Sequence, residues 1–331
     1  EKEDQANSKR FSDLTRIINK NYSNNIGKVN SLYCMTAYNI NSNNFFCRGE
    51  KESVLVKIIT KNKIDIENLN DMYELFSKTS LPVPQSIKND KGEIFTELDK
   101  NLIQIIKFIK GRYFIGGETD ISKSAKAIAR LSEICIELPS KHFPDAPLFP
   151  ENPDKIIDET FKKSASSLIK NFGQELTQIL LNNKIIIYES INYIINQKIK
   201  EHETFPMHID LHPHNILITT DEAVIIDLDS ICNVNIERSL GFGYFKLLRQ
   251  DIANKSHGEN SKKIMEDILN TTKYGHIFDP LKSYSSVKKE IMRRLLLILN
   301  ENLLYGVSKW NQVLKIQINS LNEIDHLFMQ N

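Results

Sequence analysis

Residues 207–230 read MHIDLHPHNILITTDEAVIIDLDS, and the interpretation of the whole chain turns on them. His208-Ile-Asp210 is followed by four residues and then Asn215, an H-x-D-x-x-x-x-N spacing. Asp227 follows at the end of the apolar run 223–226. That run and residues 216–218 are short and rich in β-branched side chains. The polar turn Thr219-Thr-Asp-Glu222 separates them, which is the pattern of a β-hairpin. Such a hairpin brings Asn215, before its first strand, and Asp227, after its second, to the same end. Two oxygen ligands there, with Asp210 on the entering loop, suit a hard cation such as Mg²⁺ that keeps waters and substrate phosphates as its other ligands.

The same three residues are the parts that kinase-type phosphoryl transfer uses. An aspartate accepts the proton of the acceptor hydroxyl, while an asparagine and a second aspartate hold magnesium on the nucleotide phosphates. The segment resembles the aminoglycoside phosphotransferase and choline kinase superfamily. Members read much like His208-Ile-Asp210-Leu-His-Pro-His-Asn215, with the second aspartate in a string like Ile226-Asp227-Leu-Asp229. The chain departs from the usual pattern at Ile209, where glycine is common, and at His214, where glycine or aspartate is common. The resemblance implies Asp210 and His208 as the catalytic pair, His208 as a scaffold for the loop backbone rather than a proton carrier. It also implies Asn215 and Asp227 as the metal ligands, with Asp229 supporting the loop. Zinc is the rival reading of His208, Asp210, His212 and His214. Zinc hydrolases with clustered histidines use a different order, and a zinc site would leave Asn215 and Asp227 without a role.

The chain has 331 residues, enough for two domains or one two-lobed unit. Its 43 basic and 42 acidic residues leave a net charge of +1, so neither nucleic acid nor an anionic membrane is an expected partner. The four cysteines have no paired or metal-like spacing, and reduced thiols in a cytoplasmic protein are expected. No apolar run is long enough to span a bilayer, and residues 1–5 lack the pattern of a secretion signal.

Before the central stretch, residues 1–10 are polar and expected to fray, and residues 11–18 carry a helical stripe with Ser12 as a possible cap. Strand patterns follow at 32–38, 45–47 and 54–59. Lys57 interrupts the third, where a buried ammonium is costly unless paired. By resemblance Lys57 holds the α- and β-phosphates. The expected loop 39–44, ending at Asn44, would lie over the phosphates without the usual glycines. Residues 65–78 read as a helix, on which the resemblance favours Asp71 as the acidic partner of Lys57, with Glu67 as a rival. A hairpin is expected over 94–97 and 102–109. A linker from Gln104 through Ile106 to Gly111 would turn its backbone to the adenine.

Beyond the linker the patterns are mainly helical: 121–138, 153–170, 174–181, 185–199, 243–253, 262–272 and most of 287–327. The resemblance therefore implies an α+β, protein-kinase-like, two-lobed fold. Its β-rich N-terminal lobe would cover residues 1–106, and its mainly α-helical C-terminal lobe residues 107–331. The activity implied is transfer of the γ-phosphate of ATP, with Mg²⁺, to a hydroxyl of a small metabolite of sugar, homoserine or amino alcohol type. An aminoglycoside-type antibiotic kinase and a non-catalytic nucleotide-binding pseudokinase are the alternatives. Residues 231–331 carry 14 Lys and Arg against ten Asp and Glu, a balance that suits a neutral or zwitterionic acceptor better than a polycation. A protein kinase is disfavoured by Asp227-Leu-Asp in place of Asp-Phe-Gly.

Overall fold

The computed structural model describes residues 2–37, 40–60, 66–79, 81, 83–197, 203–254, 260–271 and 278–329. The chain divides into two compact units, Glu1–Gly111 with Val224–Ile226, and Arg112–Ala223 with Asp227–Asn331.

The first unit runs α1 (Lys2–Asn21), β1 (Val29–Ala37), β2 (Ile40–Gly49), β3 (Ser53–Thr60), α2 (Ile66–Ser77), β4 (Phe95–Leu98) and β5 (Asn101–Lys107). Its five strands form one antiparallel sheet in the order β1-β2-β3-β5-β4. Alternation along β3 decides which side is core. Val54, Val56 and Ile58 are buried with Leu14 and Ile18, one turn apart on α1, and with Tyr22 just past its end. Leu55 and Lys57, one step out of phase, belong to the opposite face.

Several expectations are corrected here. Helix α1 reaches back to Lys2, so residues 2–10 are helical and Ser12 is inside the helix. Tertiary contacts anchor this part: Phe11 packs edge-on against Phe45 at 5.6 Å, and Arg10 donates to Asn43 Oδ1 at 2.7 Å. The expected loop 39–44 is largely strand. The pairs Met35↔Asn44 and Ala37↔Ile40 enclose an irregularity that takes up the extra residues as a bulge. Residues 38 and 39, and the expected helix start at Asp65, lie outside the described residues, as does the side chain of Glu67.

The linker expected from Gln104 is also displaced. Gln104 pairs with Lys57 on one side and with Phe95 on the other. Ile106 pairs with Leu55, and residues 85–87 run along the other edge through Ile87 N to Ile105 O and Lys107 N to Gln85 O, both 2.8 Å. The ladder engages the backbone of residues 104–107 with neighbours on both sides. Residues 108–111 continue outside any strand.

From Arg112 the chain runs β6 (Arg112–Tyr113), α3 (Glu118–Ile136), α4 (Pro153–Lys162), α5 (Ala165–Phe172), α6 (Gln174–Asn182), α7 (Lys184–Asn196), β7 (Phe205–His208), β8 (Ile216–Ile218), β9 (Ala223–Ile225), β10 (Ile231–Val234), α8 (Ile236–Ala253), α9 (Ser261–Asn270), α10 (Pro280–Tyr305) and α11 (Leu314–Met329), all in the second unit except Val224 and Ile225 of β9. The expected hairpin is present, in a small sheet of order β6-β8-β9, its turn closed by Thr219 N to Glu222 O at 2.9 Å. The pattern over 153–170 divides in two because Lys163 is extended and Ser164 caps α5 by accepting from Ser167 N. The pattern over 287–327 also divides, because Gly306 at φ 75° closes α10 with a left-handed cap.

Helix α8 starts seven residues earlier than its apolar stripe suggests, with Asn235 accepting from Arg238 N at 2.8 Å as the cap. It contains Gly241 and Gly243, and both serve close approach. A Cβ on Gly241 would meet Ser283 Cβ of α10 at 2.6 Å, and one on Gly243 would meet Leu211 Cβ at 3.0 Å. Helix α8 is thereby set directly against α10 and against the 208–215 loop. Among the described residues no helix is long and apolar enough to cross a membrane, and Cys47, Cys135 and Cys232 are buried outside any disulfide.

Candidate active site

Strands β7 and β10, which sequence patterns did not reveal, hold the ends of the central stretch together. His208 pairs with Ile231, and Ile209 N donates to Ser230 O at 3.1 Å. His208 is buried, its Nδ1 accepts from Asp210 N at 3.2 Å, and its carbonyl accepts from Ser239 Oγ of α8 at 2.8 Å. The ring therefore braces the backbone that presents Asp210.

From Asp210 the chain passes through buried Leu211 into a 3-10 turn at Pro213–Asn215. Asn215 N donates to His212 O at 2.8 Å, and Asn215 Nδ2 donates to Asp210 O at 3.0 Å. The asparagine thus closes the loop on itself. Its amide nitrogen is committed to protein, and its oxygen is the end suited to a cation.

Asp227 follows the hairpin's second strand in a left-handed conformation, φ 64° and ψ 48°. Aspartate tolerates this region better than most residues do. Ser230 fixes it twice, through N to Asp227 O at 3.0 Å and Oγ to Asp227 Oδ2 at 3.1 Å. Asp227 is exposed. An exposed carboxylate and an asparagine oxygen at one end of a hairpin form a fitting donor set for a hard, partly hydrated Mg²⁺. Among the described residues no three of His, Cys, Asp and Glu are grouped to hold a metal ion.

The main surprise is the company of Asp210. Arg294 of α10 donates from Nη1 to Asp210 Oδ1 at 2.8 Å, and His212 Nε2 stands 3.4 Å from Asp210 Oδ2. Burial raises the affinity of the Asp210 carboxyl for a proton. The His212 hydrogen bond and the Arg294 charge outweigh burial and hold the group far below the usual carboxylate range. Behind Arg294 lies Glu290, whose side chain is fully buried and which accepts from Arg238 (2.7 Å), Arg293 (2.8 Å) and Arg294 (2.6 Å). Burial alone would raise the Glu290 carboxyl, yet these arginines bring it down to about 2.

Sequence reading missed Arg294, Glu290 and His212 as parts of this site. One signal was present: Glu290 lies four residues before Arg294, a spacing that pairs on a helix. Part of the basic excess of residues 231–331 is internal. Arg238, Arg293 and Arg294 turn inward to one glutamate.

In the first unit the strand register gathers the expected nucleotide residues. Asn44, Lys57 and Gln104 form one row across β2, β3 and β5, and Leu55 and Ile106 pair in the next row but one. Directly paired residues project to the same side, so Asn44, Lys57, Gln104 and Ile106 share the face opposite the α1 core. Gln104 is buried and donates from Nε2 to Ser86 Oγ at 2.8 Å. Asp71 of α2 lines a groove that Arg16 and Lys20 of α1 and Lys91 also border.

No protein-family model matches the chain, and no curated protein matches it by sequence. Solved structures do match. A spectinomycin phosphotransferase in complex with ADP and spectinomycin superposes with a TM-score of 0.70 at 11% identity, over 96% of this chain and 97% of that one. An aminoglycoside phosphotransferase from Alicyclobacillus acidocaldarius gives 0.62 at 11% identity, over 89% and 91%. The choline kinase of Streptococcus pneumoniae gives 0.58 at 11% identity, over 94% and 99%. With its β-sheet first unit and helical second unit, the chain has the α+β, protein-kinase-like fold of the aminoglycoside phosphotransferases and choline kinases.

Proposed function

We propose that this protein is a phosphotransferase that moves the γ-phosphate of ATP to a hydroxyl of a small metabolite. The observation that carries the reading is the closed loop in which Asn215 is tied to the Asp210 backbone, with Asp227 at the same end of the following hairpin. The resemblance in sequence and the shared fold assign roles to these parts. Lys57 holds the nucleotide phosphates with Asp71 as its acidic partner, and Asn44, Gln104 and Ile106 lie on the nucleotide-facing side of the sheet. The ladder leaves the backbone of residues 108–111 to meet the adenine. Asn215 and Asp227 would hold Mg²⁺, which would supply charge neutralisation on the phosphates.

In the transfer, the acceptor oxygen bonds to phosphorus while the bond from phosphorus to ADP breaks and ADP keeps the electron pair. Asp210 has little affinity for a proton, so its first task is to orient the hydroxyl. It takes the proton as the new bond makes that proton acidic, and water carries it away. The acceptor is of sugar, homoserine or amino alcohol type. Neutral and zwitterionic hydroxyl compounds fit a loop whose aspartate is already paired with Arg294 better than polycations do.

The test is ADP release from Mg·ATP with homoserine, hexosamines, amino alcohols and aminoglycosides under matched conditions. One of the first three classes should turn over fastest, and Asp210→Asn should fold, bind nucleotide and lose most turnover. Near-parental turnover in that variant would end the kinase reading. Faster turnover of aminoglycosides would move the protein to the antibiotic kinases.

A further inference from the structure

Arg294 lies 84 residues beyond Asp210 in the chain and is held on each side of its guanidinium plane and edge. Nε donates to Glu290 Oε1 at 2.6 Å, Nη1 to Asp210 Oδ1 at 2.8 Å, and Nη2 to the Ile209 carbonyl at 3.3 Å. Its Cζ lies 4.3 Å from the ring centroid of Phe242 on α8. Glu290, the anchor at the far end, cannot follow a moving partner, because Arg238 and Arg293 grip it as well. Three arginines on one buried carboxylate leave positive charge that a second anion offsets, and Asp210 is that anion. A planar fork is needed to reach a carboxylate, a carbonyl and a second carboxylate at once, and a lysine cannot do so.

We propose that Arg294 is the positioning residue of the transfer step. From α10 it fixes the plane of the Asp210 carboxylate through Oδ1, so that Oδ2, which also faces His212 Nε2 at 3.4 Å, is the oxygen turned to the hydrogen of the acceptor hydroxyl. This role rests on the phosphotransferase reading and adds to it a second-unit residue outside the central motif. The chain that carries rigidity is Glu290, Arg294, Asp210, with Gly241 letting α8 approach α10 and Phe242 supplying the ring on which the guanidinium rests. Holding a reacting group within a fraction of an ångström matters because a misplacement of about 1 Å costs about a hundredfold in rate.

The experiment compares the parent with Arg294→Met, Arg294→Lys and Arg294→Ala in steady-state ADP release and in amide hydrogen exchange. The first two variants should lose about a hundredfold in kcat while KM for Mg·ATP stays at the parental value. Millimolar guanidinium should restore part of the rate to Arg294→Ala and none to the parent. Exchange should quicken over residues 208–215 while α10 stays protected, because Glu290 keeps Arg238 and Arg293. Parental kcat in Arg294→Met would overturn the assignment. So would a loss matched by equal weakening of nucleotide binding and by exchange throughout α10, the signature of plain structural support. If the parent releases no ADP with any acceptor, the phosphotransferase reading fails. The exchange measurement then still decides whether Arg294 holds the Asp210 loop.

Discussion

The side-chain amide of Asn215 donates to the backbone carbonyl of Asp210 across 3.0 Å, so the asparagine both closes the loop and offers its oxygen outward from a fixed amide. These two duties can be separated. Asn215→Asp keeps a ligand oxygen and sets a carboxylate against a carbonyl, whereas Asn215→Leu removes ligand and donor together. We expect Asn215→Asp to need more Mg²⁺ and to lose at least about tenfold in turnover, since a buried acceptor is left unpaired. Asn215→Leu should be inactive at every Mg²⁺ concentration. An unchanged Mg²⁺ midpoint for ADP release in Asn215→Leu would remove Asn215 from the ligand set.

Asp227 needs a substitution that respects its backbone. Alanine at a left-handed position costs about 1 kcal/mol or more, whereas asparagine is tolerated there. Asp227→Asn is therefore the cleaner probe of charge. It should melt close to the parent and lose the Mg²⁺-dependent part of ATP binding by calorimetry. Equal Mg·ATP affinity in parent and variant would show that Asp227 is not the metal ligand.

Gly241 and Gly243 should respond differently to the same change. Alanine is favoured over glycine in a helix by about 1 kcal/mol. At Gly243 the new methyl would press on the Leu211 side chain at 3.0 Å, next to Asp210. We expect Gly243→Ala to melt near the parental temperature with turnover reduced about tenfold. Gly241→Ala would drive α8 from α10 at Ser283 and Val287, and should lower stability by about 1–3 kcal/mol. Thermal melts and ADP release on both variants separate the outcomes; equal effects on stability would contradict the packing described.

Lys246 is a buried ammonium whose hydrogen bond goes to Ser320 Oγ at 3.1 Å, with the rings of Phe242 and Phe245 beside it. Burial pushes it down to about 7, helped by the charges of Arg249 and Arg294 and opposed by Asp210 and Glu323. In the unfolded chain it ionises near the ordinary lysine value, about 10.4. Between these limits the unfolded state binds the proton and the folded state does not, so this group's contribution to stability rises with pH across that window. Below about 7 both states are charged and the full cost of burial is felt. Lys246→Met should therefore stabilise the protein at pH 6 by about 1–4 kcal/mol, the range for replacing buried ions by apolar groups. The gain should shrink toward pH 10. A variant less stable than the parent at pH 6 would show that the ammonium is compensated in the fold.

Much of the local architecture was legible because it follows from short-range rules. The β-branched run Val54 to Ile59, interrupted by Lys57, marked a strand, and the polar turn between residues 218 and 223 marked a hairpin. The start of α8 was not legible, since its cap Asn235 lies in an otherwise unremarkable stretch and its glycines argue against a helix until their neighbours are known. The linker was misplaced for a similar reason. Ile105 and Ile106 are apolar side chains suited to either role, and their place in the strand was settled by partners at 54–57 and 85–87.

For the site, residues 207–230 by themselves determined the local frame: a tight turn joins Asp210 to Asn215 and a hairpin leads from Asn215 to Asp227, and that geometry depends on residues a few positions apart. Only the tertiary structure decided the electrostatic state of Asp210. Its partner Arg294 arrives from a helix 84 residues away, and Glu290, Arg238 and Arg293 hold that arginine in place. A charge count over residues 231–331 sees those arginines as a basic excess. The fold turns them inward, because a guanidinium out of water must find a carboxylate, and which carboxylate it finds is set by the packing of α8 against α10.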